Sequence, residues 1–93
     1  MTNAQINGLK PGDRFSQTFN GVTSEYEVRR VKHIGTCVNE RSGAFGHAFA
    51  SLEAVTSYGS VYGMSIDSDE YSNGSGYPSH DRDGNRIRGY ELI

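Results

Sequence analysis

Residues 24–34 read SEYEVRRVKHI. At first the stretch alternates. Tyr26 and Val28 fall on one side, Glu25 and Glu27 on the other, as in a half-buried strand. The alternation fails at Arg29-Arg30, and Val31 takes the apolar side one residue late. One extra residue in a strand produces such a slip, so the stretch predicts a strand with a β-bulge at Arg29-Arg30. A bulge bends its strand, and a bent strand suits a small sheet wrapped around a thin core.

Upstream, Leu9-Lys10-Pro11-Gly12-Asp13 is a turn sequence, with proline ahead of glycine as a type II turn requires. A first strand is expected over about Asp13 to Phe19. Asn20-Gly21 is a hairpin dipeptide. Downstream, Gly35 is expected to turn the chain, Thr36 to Glu40 to form a third strand, and Arg41-Ser42-Gly43 to turn it again. Residues 44–50 fit a strand with Phe45, His47 and Phe49 on one face. A helical turn over Leu52 to Val55, capped by Ser51, would follow. The alternative is one helix over about 44–57. It would align Phe45, Phe49, Leu52 and Val55, with four alanines in favour and Gly46 against. Ser60 to Ile66 and Ile87 to Ile93 alternate as two more strands. The expected core is Phe15, Tyr26, Val28, Val31, Val38, Phe49, Leu52, Val55, Tyr62, Ile66, Tyr90 and Leu92.

Composition agrees with a mainly β protein. Apolar residues are 34% of the chain, with twelve glycines and six tyrosines. A chain of 93 residues buries only about 60–65% of its unfolded surface, so one domain over 1–93 is expected, its thin core supplemented by tyrosines. The single cysteine, Cys37, excludes an intrachain disulfide. The opening residues show no basic segment followed by an apolar run. Apolar runs stay far below the roughly 20 residues of a membrane span. These features predict a cytoplasmic protein without a membrane partner.

Charge is unevenly laid out. Residues 67–85, DSDEYSNGSGYPSHDRDGN, carry five acids and one base, while the whole chain carries only −2. This stretch is expected to be a polar acidic loop, exposed over Asp67 to Ser79, ending in a type I′ hairpin turn at Asp83-Gly84. Its acids offer hard oxygens, and DRDGN at 81–85 echoes part of a calcium loop. The twelfth-position glutamate and the flanking helices are missing, so no metal is expected. No cofactor motif occurs. His47, His80 and Cys37 can be drawn as a nucleophile and base, but no spacing selects that drawing, so His47 and Cys37 are expected at the core edge and no enzyme is expected.

The expected order is strand, long loop, strand, strand, tight turn, strand, helical turn, strand. With LKPGDRF at 9–15, YEVRRV at 26–31, the hairpin across RSG at 41–43 and the SLEAV turn at 51–55, it resembles the SH3-like small barrel over residues 9–66. The resemblance implies a small antiparallel barrel, or a strongly bent sheet, with one short helix, on a scaffold used for binding. Length and lack of motif are also similar to the small accessory proteins of phages and mobile elements, several of which inhibit host defence enzymes. The first expectation is therefore a non-enzymatic protein-binding module, an inhibitor or regulator of a partner with a basic, nucleic-acid-handling surface. Asp67, Asp69, Glu70, Asp81 and Asp83 would steer such a partner, with Tyr71 and Tyr77 as anchors. The alternative is a nucleic-acid-binding barrel that uses Tyr26, Arg29, Arg30, Lys32 and Arg41. Neutralising Asp67, Asp69 and Glu70 together is expected to leave folding intact.

Overall fold

The bulged strand forms, and it is longer than its alternation suggests. The computed structural model describes residues 1–37, 47–70 and 79–93. Among these, the strand β2 spans Val22–Cys37. Its register against β3 (His47–Val55) pairs Val28 with Ala54, Arg30 with Glu53, Val31 with Leu52, His33 with Ser51 and Ile34 with Ala50. Register shifts fall between Val28 and Arg30 and again between Val31 and His33. The expected bulge at Arg29-Arg30 is therefore present, and a second follows at Lys32-His33. Each bulge sets two β2 residues against one on β3. As a result the inward positions recur every third residue, at Val28, Val31 and Ile34.

Gly35 does not turn the chain, and Thr36 opens no new strand; both belong to β2. The glycine serves close packing instead. A Cβ there would meet the Phe49 ring at 3.0 Å, and Phe49 is its partner across the ladder.

The helical turn at 52–55 and the longer helix over 44–57 are both replaced by strand in the described residues, because β3 runs to Val55. Tertiary context overrides the helix propensity of alanine here. Ala48, Ala50, Leu52 and Ala54 alternate inward and are all buried.

The other strands are β1 (Arg14–Phe19), β4 (Val61–Asp67) and β5 (Arg88–Leu92). Asn20 and Gly21, at φ of 51° and 78°, link β1 to β2 in a two-residue turn whose positive angles match strand twist. No long loop lies between them. The five strands form one antiparallel, unclosed sheet in the order β4-β3-β2-β1-β5.

A helix that no periodicity announces covers the inner face. α1 spans Asn3–Asn7, and Thr2 and Gln5 close a capping box at its start. Five residues are too few to be helical alone, so packing must hold them. Ile6, fully buried, and Met1 and Leu9 join Phe15, Val28, Leu52 and Ile66 in the core. The alanines of β3 leave room for α1 to approach.

Of the expected core, Phe15, Val28, Leu52 and Ile66 are buried, and Tyr26, Val31, Tyr90 and Leu92 pack partly against them. Phe49 and Val55 are half-buried on the other face. Tyr62 is 51% exposed, because it lies opposite Ala54 near the end of edge strand β4. Val38 lies outside the described residues.

Candidate binding surfaces

The acidic stretch begins as part of the fold. Asp69 Oδ2 accepts hydrogen bonds from the Met1 ammonium at 2.9 Å and from Arg86 Nη2 at 3.0 Å. Arg86 Nη1 donates to Asp69 Oδ1 at 3.3 Å, completing a two-pronged pair. The Met1 ammonium also donates to the Tyr90 carbonyl, and the Asp69 N–H to the Met1 carbonyl. Met1 and Asp69 thus join the end of β4 to β5, the two edges of the open sheet.

Glu70 Oε1 accepts from the Asn3 N–H at 2.6 Å, one of the donors a helix start leaves without an intrahelical partner. Ser68, expected in solvent, is 3% exposed. Its hydroxyl donates to Asn3 Oδ1, which also accepts from the Ala48 N–H. The exposed loop expected from Asp67 therefore does not begin there. Asp67 closes β4, with its Oδ2 3.6 Å from His47 Nε2.

Burial alone would raise the Asp69 pKa. Hydrogen bonds from Arg86 and the Met1 ammonium, and the charges of both, outweigh it and hold the carboxyl below its usual range.

Asp81 and Asp83 are exposed. Asp81 Oδ1 accepts from the N–H groups of Asp83 and Asn85, and its carbonyl from the Gly84 N–H. The turn is not type I′. Only Gly84, at φ 84°, takes a positive angle, and Asp83 does not; the Asp81 carboxylate organises the loop in its place. Tyr71 and Tyr77 lie outside the described residues.

The residues of the nucleic-acid alternative separate. Tyr26 stacks on Phe15 at 5.5 Å on the inner face, while Arg29, Arg30, Lys32 and His33 are all exposed. They occupy the two bulges between inward Val28, Val31 and Ile34, so the double bulge places four neighbouring basic side chains outward. Arg29 and Arg30 stand in no ion pair among the described residues. Lys32 lies 3.8 Å from Glu53, the single carboxylate at this level of β3. Arg41 lies outside the described residues.

The drawn catalytic set is brought together only in part. His80 bonds Ser79 at 2.8 Å in the 79–86 hairpin. His47 is buried and is the ladder partner of Cys37. Among the described residues, no three His, Cys, Asp or Glu side chains group as metal ligands, and no helix is long and apolar enough to cross a membrane.

Sequence reading missed His33 and Phe49 as surface neighbours. Their ring centroids are 5.7 Å apart. The signal was the repeat of the pattern V-R-R-V as V-K-H-I, which marks a second bulge.

Comparisons with protein-family models, with curated proteins and with solved structures find no match.

Proposed function

We propose that this protein is a non-enzymatic binding module that holds the phosphate backbone of a nucleic acid on the outer face of β2. One observation carries this reading. Two consecutive bulges turn Arg29, Arg30, Lys32 and His33 out of one strand, and among the described residues the acids beside this run are Glu53 across the ladder and Glu27 just before it. On the acidic side, by contrast, Asp67, Asp69 and Glu70 already have partners within the chain. Their field toward an incoming basic partner is correspondingly reduced.

Binding of a labelled oligonucleotide, followed by anisotropy across a salt series, tests this. Three neutralised phosphates on a single strand give a log–log salt slope of about −2. Arg29→Ala/Arg30→Ala is expected to weaken binding about tenfold or more at low salt and to flatten the slope to about −0.7. Both arginines are exposed, so folding is expected to be unchanged. Equal binding by parent and variant, or none by either at low salt, sinks the proposal.

A protein partner with a basic surface, bound in the manner of a phage-type inhibitor on an SH3-like scaffold, is the second reading. It is favoured by the exposure of Asp81 and Asp83 at the tip of the 79–86 hairpin. Here Asp81→Asn/Asp83→Asn is expected to slow association with a partner isolated on the parent protein, most clearly at low salt. Unchanged association kinetics excludes it.

A further inference from the structure

We infer that the outer face is a single-strand site, in which His33 and Phe49 form the surface that stacks a base beside the cations of the double bulge. This rests on the nucleic-acid reading above. The His33 ring lies against Phe49 at 5.7 Å and 54°, and His33 itself is exposed. Phe49 is held in place from below, because its Cε1 and Cζ come within 3.0 Å of where a Cβ on Gly35 would stand. Any larger residue at 35 would displace the ring. A phenylalanine on an outer face, seated on glycine and flanked by an exposed imidazole, offers π surface next to charge.

The rows beside it are low. In register, His33 meets Ser51 and then Ser65, and Arg30 meets Glu53 and then Gly63. Ser65 and Gly63 are exposed. Ser51, Ser65 and Gly63 leave a shallow floor along β3 and β4, with the cations of β2 at its side; Glu53, paired with Lys32, and Asp67, opposite Phe49 and beside His47, are the carboxylates that border it among the described residues. Arg30 and His33 face Glu53 and Ser51, two residues apart on β3, about 7 Å at a strand rise of about 3.3 Å per residue, so backbone and base contacts fall within reach of one short segment. A duplex hides its base faces and would engage the cations alone. An unpaired strand engages both. Tyr26, the aromatic expected from sequence, cannot serve here because it stacks on Phe15 on the inner face.

The test compares a single-stranded oligothymidine with the same strand annealed to its complement, using the full chain at fixed salt. The single strand is expected to bind at least about tenfold more tightly. His33→Ala and Phe49→Leu should each remove about tenfold of single-strand affinity and leave duplex binding and the salt slope unchanged. His33→Phe keeps an aromatic ring and should bind single strands as the parent does. His33→Ala lies at an exposed position, so the test stands even if Phe49→Leu unfolds. Equal affinity for both forms, no effect of His33→Ala, or a His33→Phe as weak as His33→Ala overturns the inference while leaving a salt-dependent, Arg29/Arg30-sensitive binder intact. Loss of that arginine sensitivity, or no binding to either form, overturns the nucleic-acid reading and this inference with it.

Discussion

Asp69→Asn is expected to destabilise the protein by about 2–3 kcal/mol. The substitution preserves shape and removes the charge that two cations share. Arg86 would be left with a side chain only 12% exposed. Its Nε is already buried without a hydrogen bond, 3.6 Å from the carboxylate of Glu91. Removing one partner of a buried ion pair costs about 3–5 kcal/mol. Asp69 is 28% exposed, so solvent returns part of that. For a chain of this size the loss corresponds to a fall in Tm of roughly 10–20 °C. Acid gives an independent check. The folded pKa of Asp69 lies below its unfolded one, so its contribution is complete above about pH 3.9. It is lost as pH falls through the folded value. Parent and Asp69→Asn should therefore differ at neutral pH and converge in acid. Asp13, held low by its hydrogen bond from Lys10 although burial opposes it, titrates in both and cancels. Denaturant melts at pH 7 and through the acid range below the ordinary carboxylate pKa measure the difference; a gap that is absent at pH 7 or does not narrow with acid contradicts the assignment. The same reasoning reverses the expectation that neutralising Asp67, Asp69 and Glu70 together leaves folding intact.

Why the sequence suggested solvated carboxylates there is visible in sequence distances. Asp69 is 68 residues from Met1 and 17 from Arg86. A run of like charges gives no sign of partners that only the folded sheet brings close. Local signals fared better. Asn20-Gly21 specified its hairpin, Arg29-Arg30 its bulge, and the apolar alternation of 60–66 its strand. The second bulge was equally legible in Val31-Lys32-His33-Ile34, but Gly35 just beyond it suggested a turn. Glycine can mean positive φ or close approach, and only the Phe49 ring across the ladder decides between them. Over 48–55 two periods competed. Alanine suits a helix intrinsically, yet Ala48, Ala50, Leu52 and Ala54 keep strict period two, and burial follows that period. The capping box of Thr2 and Gln5 was present in sequence, but a five-residue helix shows no periodicity to support it. For the basic surface, Arg29, Arg30 and Lys32 were readable as a group. That Tyr26 faces inward was legible in its alternation with Val28; that His33 lies beside Phe49 on the outer face follows only from counting the bulges.

Gly89→Ala is expected to cost about 2–4 kcal/mol, and for two separable reasons. Gly89 sits at φ 101°, where a residue with a Cβ is strained by about 1–3 kcal/mol. The added carbon would also stand 2.8 Å from Arg86 Nη1 and 3.0 Å from Asp69 Oδ1. It would push apart the same pair that Asp69→Asn breaks. The position is intolerant because β5 must pair with β1, Thr18 against Gly89, while Arg86 folds back over it to reach Asp69 and the Arg88 carbonyl. A side chain at 89 cannot satisfy both. The two substitutions should therefore be non-additive. In the Asp69→Asn background, Gly89→Ala should cost less than it does in the parent, because the ion pair is already lost. The strain should remain, so the cost should not fall to zero. A double-mutant cycle in denaturant gives both numbers. Full additivity would show that the Cβ leaves the Asp69–Arg86 contact untouched, and a Gly89→Ala cost under about 0.5 kcal/mol in the parent would contradict the strained backbone itself.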